Sequence, residues 1–204
     1  MKQKVSDYIA EYIAQWGIRD VFTVTRGGAM HMNDAFGHHK MLHCTYQHHE
    51  QTCAMAAEAY ARLGNKMAAV CVTTGPGATN AITGVLGAWM DSIPMLVFSG
   101  QARYATTVSA SGLPLRSMGV QECNIVPVVK SLTKYAHMIV HPENIRYHLE
   151  KALYLAVNGR PGPVWLDIPL DVQGAVIETD DLKAYDPEEN PEQKPREIKD
   201  ETVE

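Results

Sequence analysis

No apolar run in the 204 residues approaches the ~18 residues of a membrane span, which excludes a spanning helix. The opening Met1-Lys2-Gln3-Lys4-Val5-Ser6-Asp7 has no apolar signal core behind its charges, so a cytoplasmic rather than a secreted protein is expected. Positive charge is not in excess. The chain holds 18 basic and 23 acidic residues, which argues against a nucleic-acid partner bound by bulk charge. Cysteine is scarce. Cys44, Cys53, Cys71 and Cys123 form no CxxC pair and read as buried, reduced thiols. Five of the nine histidines cluster between His38 and His49, but without HExxH spacing, so no metal site is expected. A GxxxxGK[ST] phosphate loop and a GxGxxG dinucleotide turn are also lacking. What remains is a chain that is 46% hydrophobic and 20% charged, of ordinary globular composition.

The charge is unevenly placed. Residues 178–204 carry 11 acidic and 4 basic residues, whereas residues 1–177 carry 12 and 14. The segment Asp186-Pro187-Glu188-Glu189-Asn190-Pro191-Glu192-Gln193-Lys194-Pro195 has three prolines and no apolar side chain. Two parts are therefore expected: a body over 1–176 and an acidic, proline-rich linker over 177–204.

Within the body, short apolar runs alternate with amphipathic stretches. Val5, Ile9, Tyr12, Ile13 and Trp16 recur at helical spacing before Gly17. Strands are expected at 20–24, 42–46, 67–74, 94–99, 131–140 and 164–168. Helices are expected through Met32 and Phe36, over Glu50–Leu63 with Gly64 as its cap, after Gly75-Pro76-Gly77, over 122–129, and over 145–156 entered at Pro142. Residues 102–120 read as a long functional loop. Six strands separated by helices predict a three-layer, doubly wound α/β fold. Its six-stranded sheet is mostly parallel, with helices on both faces. Such sheets bind ligands beyond the carboxyl ends of their strands, here Thr25–Gly28, Gln47–Glu50, Gly75–Asn80 and Gly100–Arg103.

Two features there carry chemistry. Gly75-Pro76-Gly77-Ala78-Thr79-Asn80 joins a strand to a helix, where glycines admit a ligand to the backbone and the helix start offers free N–H groups. On its own the hexapeptide reads equally well as a structural turn. Glu50 stands at the start of an alanine-rich helix suited to close packing, and a carboxylate kept from water there is an acid–base candidate. Arg62 reads as a surface partner of Glu58, and Arg26 as a solvated loop charge or a group that binds a substrate carboxylate.

Several segments taken in order resemble one family. They are His49-Glu50-Gln51, Ala56-Ala57-Glu58-Ala59-Tyr60-Ala61-Arg62, Gly75–Asn80, Met90-Asp91-Ser92-Ile93-Pro94, Ser99-Gly100-Gln101, Val120-Gln121-Glu122, Thr133-Lys134-Tyr135 and Gly159–Gln173. Together they are similar to the pyrimidine-binding domain of thiamine-diphosphate enzymes, most closely the acetolactate synthases, over about residues 5–175. The resemblance implies that Glu50 hydrogen-bonds N1′ of the cofactor's aminopyrimidine. This favours the imino tautomer that removes the thiazolium C2 proton. A 2-oxo acid is then decarboxylated, and the remaining fragment is passed to an acceptor. It further implies that Pro76 and Asn80 line the pyrimidine, that Gly75 is also cofactor-binding, and that Gln121 faces the cofactor's reactive end. His49 reads equally as a residue that orients Glu50 or as an ordinary, partly buried histidine.

The resemblance implies Mg²⁺ held by a Gly-Asp-Gly…Asn motif of another domain, and a homodimer or homotetramer with its site between subunits. This chain has no Gly-Asp-Gly, and nothing in it indicates FAD. It departs from the acetolactate synthases in the substrate region. Thr25-Arg26-Gly27-Gly28 replaces Pro-Gly-Gly, and Val120 stands where many of them carry phenylalanine, so Thr25, Arg26, Gly27 and Val120 are the substrate-pocket candidates. Gly28–Ala35 resembles a bacterial subgroup tied to surface polysaccharides. Alternatives are thus another thiamine-diphosphate lyase or transferase acting on a polysaccharide precursor, or a non-catalytic interaction domain of the same fold.

Overall fold

The computed structural model describes residues 1–194. Its main sheet has six parallel strands: β2 (Asp20–Thr23), β3 (His43–Tyr46), β4 (Ala69–Val72), β5 (Met95–Gln101), β6 (Tyr135–Met138) and β7 (Pro163–Pro169). Their spatial order is β3-β2-β4-β5-β7-β6. The expected three-layer α/β fold is present, and every pairing in this sheet is parallel.

Both sheet faces are covered, and the strand sequences show why. Alternate side chains of a strand point to opposite faces. Cys71, Leu96, Phe98, Val164, Leu166 and Ile168 enter one core with α1 (Val5–Trp16), α2 (Met30–His38) and α7 (Ile145–Val157). Val70, Val72, Met95, Val97 and Trp165 enter the other, beneath α3 (Glu50–Gly64), α4 (Pro76–Met90) and α6 (Ile125–Val129). A strand buried on both sides reads as a continuous apolar run rather than an alternation. Small residues on α3 (Ala54, Ala57) and α4 (Ala78, Ala81, Ala88) let these two helices approach closely.

Some boundaries differ from expectation. Gly64 is the last helical residue of α3, and Asn65 takes the left-handed position after it (φ 49°), a conformation asparagine tolerates. The loop 102–120 contains a 3₁₀ turn at Tyr104–Thr106 and the four-residue α5 (Val108–Ser111). The ordered body also runs past Val176. β1 (Lys2–Lys4) pairs antiparallel with β8 (Val176–Glu178), the latter following α8 (Leu170–Gly174). Leu182 and Tyr185 are buried against the body, and the Tyr185 N–H donates to Glu150 at 2.7 Å. Ile177, Leu182 and Tyr185 thus hold this stretch against the body, while most of residues 178–194 are exposed. The rest of the expected linker, 195–204, lies outside the described residues.

On the β6–α7 edge, His137 and His148 stack at 3.9 Å, and Nδ1 of His148 lies 2.6 Å from the Tyr135 hydroxyl. Burial, then the neighbouring His137 and Lys151, push His148 down to about 4. A histidine held neutral in the fold stabilises it above its unfolded value. That stability is lost as pH falls from about 6.5 towards about 4, because the unfolded chain takes up the proton first. Allowing for its partial exposure, the contribution is on the order of 1 kcal/mol. Asp167 acts oppositely in the same range, since burial pushes its carboxyl up to about 7. The histidine contribution is isolated by comparing wild type with His148→Gln. Urea midpoints of the variant are expected to fall less between pH 6.5 and 4, and parallel profiles would remove His148 as the cause.

Candidate active site

The site begins where the strand order turns. From β2 the chain moves outward to β3, whereas from β4 it moves the other way to β5. The loops after β2 and β4 therefore diverge and leave a crevice at their carboxyl ends.

Glu50 is the first residue of α3, buried to 8% exposure. His49 caps this helix, its Nδ1 accepting from the Gln51 N–H at 3.2 Å. His49 thus starts the helix that carries Glu50, and no hydrogen bond joins the two side chains among the described residues. Asn80, in the first turns of α4, donates from Nδ2 to Oε2 of Glu50 at 3.0 Å. Oε1 of Glu50 accepts no hydrogen bond among the described residues. The corner therefore presents one carboxylate oxygen held by an amide and one still open to a donor. Beneath it, burial and the Glu50 charge push the Cys53 thiol up to about 12, so it is no nucleophile at neutral pH.

Pro76 is exposed at the first position of α4, where its missing N–H costs no hydrogen bond. Gly75 before it has φ 57° and ψ −118°, a conformation that L side chains rarely adopt. A Cβ there would also collide with the carbonyl oxygen of Gln121. Gln121 itself has φ 56°, unusual for a residue other than glycine. The turn and the 121 loop are thus fitted to each other, and Gly75 and Gln121 meet.

Beside the turn lies a buried polar network that sequence reasoning left without a role. The Thr74 hydroxyl donates to Oε1 of Gln101 at 2.6 Å. Gln101 Nε2 donates to the Cys123 carbonyl at 2.8 Å and to Asp167 at 3.1 Å. Ser99 donates to Asp167 at 2.6 Å and accepts from the Trp165 indole at 2.8 Å. Ser99 and Asp167 are register partners on β5 and β7. The available signal was the placement of Ser99, Gln101 and Asp167 inside otherwise apolar strand runs, since polar groups there must find partners.

A cavity of about 480 Å³ opens between these loops. Of the substrate-pocket candidates, Arg26, Gly27 and Val120 line it, together with Gln121, Thr73, Thr74 and Gln101. Thr25 does not. It is exposed just beyond β2. Glu50, Pro76 and Asn80 are not in the lining either, and the Thr74–Gly75 turn and Gln121 connect the two regions. Concavities of about 680 and 720 Å³ lie near the amino ends of the strands, against Trp89–Arg160 and Trp16–Arg62, and contain none of the candidates. There Arg62 bonds Glu58 at 2.6 Å, as its spacing suggested, and also Asp91. No cluster of three metal-ligating side chains occurs among the described residues.

Residues 3–122 match the family described as thiamine pyrophosphate enzyme, N-terminal TPP binding domain. Among curated proteins, the chain is 36% identical over 174 residues to acetolactate synthase 2, chloroplastic, of Zea mays, covering 84% of this chain and 26% of that protein. It is 34% identical over 174 residues to acetolactate synthase, chloroplastic, of Arabidopsis thaliana, covering 84% of this chain and 24% of that one. The chain thus spans about a quarter of the length of these relatives.

Proposed function

This chain belongs to the thiamine pyrophosphate enzymes as their N-terminal TPP-binding domain, and from that premise we propose that it supplies the proton-handling half of an acetolactate synthase-like site acting on 2-oxo acids. When bound, thiamine diphosphate supplies the electron sink for breaking a carbon–carbon bond beside a ketone.

The residues fit such a group. Glu50 has one buried carboxylate oxygen occupied by Asn80 and the other unpartnered among the described residues. That is the arrangement needed to hold a proton on a ring nitrogen: the amide fixes the carboxyl plane, and Oε1 stays free for the ring. Gly75, having no side chain, lets Gln121 close over the turn, and Pro76 starts the adjoining helix. Gln121 lines the cavity, which supports a role for it facing the reactive end of the cofactor. The unpartnered oxygen of Glu50 is the observation that carries this reading.

Mg²⁺ and the diphosphate are assigned to a Gly-Asp-Gly segment of a further domain, with residues 177–204 leading towards it. The length of the relatives supports this assignment. A homo-oligomer completes the site in this reading, and the unpaired thiols Cys44, Cys53, Cys71 and Cys123 fit a reducing, cytoplasmic setting. The test is carbon dioxide release from pyruvate and other 2-oxo acids by the full-length protein. Release is expected to require both thiamine diphosphate and Mg²⁺, and release that persists after both are removed would contradict the reading.

A further inference from the structure

The cavity beside Gln121 has a charge pattern of its own. Arg26 and Arg103 both line it, and no aspartate or glutamate does. Neither guanidinium forms an ion pair or a side-chain hydrogen bond among the described residues. Their backbones, by contrast, are held. The Arg26 carbonyl accepts from the Ala29 N–H at 3.1 Å, and the Gly28 carbonyl accepts from Gln173 Nε2 at 2.8 Å. On the other loop, the Arg103 carbonyl accepts from the Thr106 N–H at 2.8 Å, and Tyr104 N–H donates to Asp171 Oδ1 at 3.0 Å. Asp171 caps that loop and forms no ion pair with either arginine at 4 Å or less. Both cations thus stand on loops tied to α8, around a wall that includes Met30, Val120 and Leu170.

We propose that this cavity selects a 2-oxo acid that carries a second anionic group remote from its keto carbon, a carboxylate or a phosphonate. The inference rests on the reading of the site given above and names its substrate class. Physical chemistry separates the two ends of such a substrate. When the acid loses carbon dioxide, its carboxylate charge leaves that group and the bond's electron pair stays on the former keto carbon. A guanidinium clamped on that carboxylate would stabilise the starting state and oppose the step. A guanidinium on a remote anion binds a charge that survives the reaction, and so contributes affinity without that penalty. Two unpaired arginines in a cavity with no lining carboxylate are surplus for a small monoanion such as pyruvate.

The test uses the full-length protein with thiamine diphosphate and Mg²⁺, comparing pyruvate, 2-oxoglutarate and 2-oxo-4-phosphonobutanoate. One charge-assisted contact corresponds to about a 10-fold preference or more, so kcat/KM for at least one dianionic acid should exceed that for pyruvate by that factor. Arg103→Ala should lower the dianion value by about 10-fold and leave pyruvate within about 2-fold. Arg103 is exposed on a loop, so its removal leaves the fold intact. Calorimetric titration with unreactive glutarate and with methylphosphonate gives a readout without turnover and tells the two anion types apart. Binding of either, weakened in Arg103→Ala, sustains the anion contact; if no 2-oxo acid then reacts, the functional reading falls and the substrate class named here falls with it. A preference for pyruvate, or anion binding that is absent or unchanged in Arg103→Ala, overturns the inference.

Discussion

Glu50→Gln in the full-length protein is expected to lower kcat by about 10²- to 10⁴-fold, the usual weight of a positioned acid–base group. The amide is nearly isosteric, so Asn80 keeps an oxygen to which it can donate at the position of Oε2. The other terminal atom becomes an NH₂ group, which donates where the carboxyl accepts. It can neither share a proton with a ring nitrogen nor return one. Stability should hardly change. The residue begins α3, where loss of a negative charge costs about 0.3–1 kcal/mol, or a few degrees in Tm. Steady-state kinetics and thermal unfolding of the same preparation check both halves. A kcat within about threefold of wild type would remove Glu50 from the chemistry.

Gly100→Ala is expected to act on the fold instead, lowering stability by about 3 kcal/mol and Tm by roughly 6–12 °C. Gly100 lies in β5, fully buried, and pairs with Ile168 of β7. A Cβ there would collide with the Gly28 carbonyl carbon and oxygen and lie 2.8 Å from the Ala29 nitrogen. These are backbone atoms, so no rotamer change relieves the contact. Relief requires the loop after β2 to move away from the sheet, which would break the Gly28–Gln173 hydrogen bond. The same displacement moves Arg26, so residual activity should fall along with Tm. Thermal unfolding checks the prediction, and a loss below about 1 kcal/mol would show that the loop yields freely.

The central sheet was legible in the sequence because β4, β5 and β7 are buried on both faces, and their apolar runs are bounded by turns. The small two-stranded sheet was not. β1 and β8 are three residues each and make sense only as a pair formed between segments far apart in the chain. No local pattern reports a contact of that range. Leu182 and Tyr185 escaped notice for another reason, since two buried side chains are outweighed by the acidic residues around them in any composition window. In the site, Glu50 and the glycine turn were visible as an acid and a strand–helix junction at the carboxyl ends of β3 and β4, the two strands that flank β2. Their direct link, Asn80 to Glu50, depends on how closely two alanine-rich helices pack, and that distance is not written in either segment alone. Arg103 was placed at the ligand edge by its position after β5 but was given no role, because a single arginine in a loop without periodicity gains meaning only from what stands opposite it. At His49 the two readings left open by the sequence both miss what the ring does, which is to accept from the Gln51 N–H at the helix start.

The Oε1 side of Glu50 is expected to govern proton loss from the bound cofactor. Hydrogen–deuterium exchange at C2 of thiamine diphosphate, followed by NMR after rapid quenching, measures that step without any substrate. The wild-type full-length protein should speed exchange well above that of free cofactor, and Glu50→Gln should return it to near the free rate. Equal exchange in the two proteins would contradict the account.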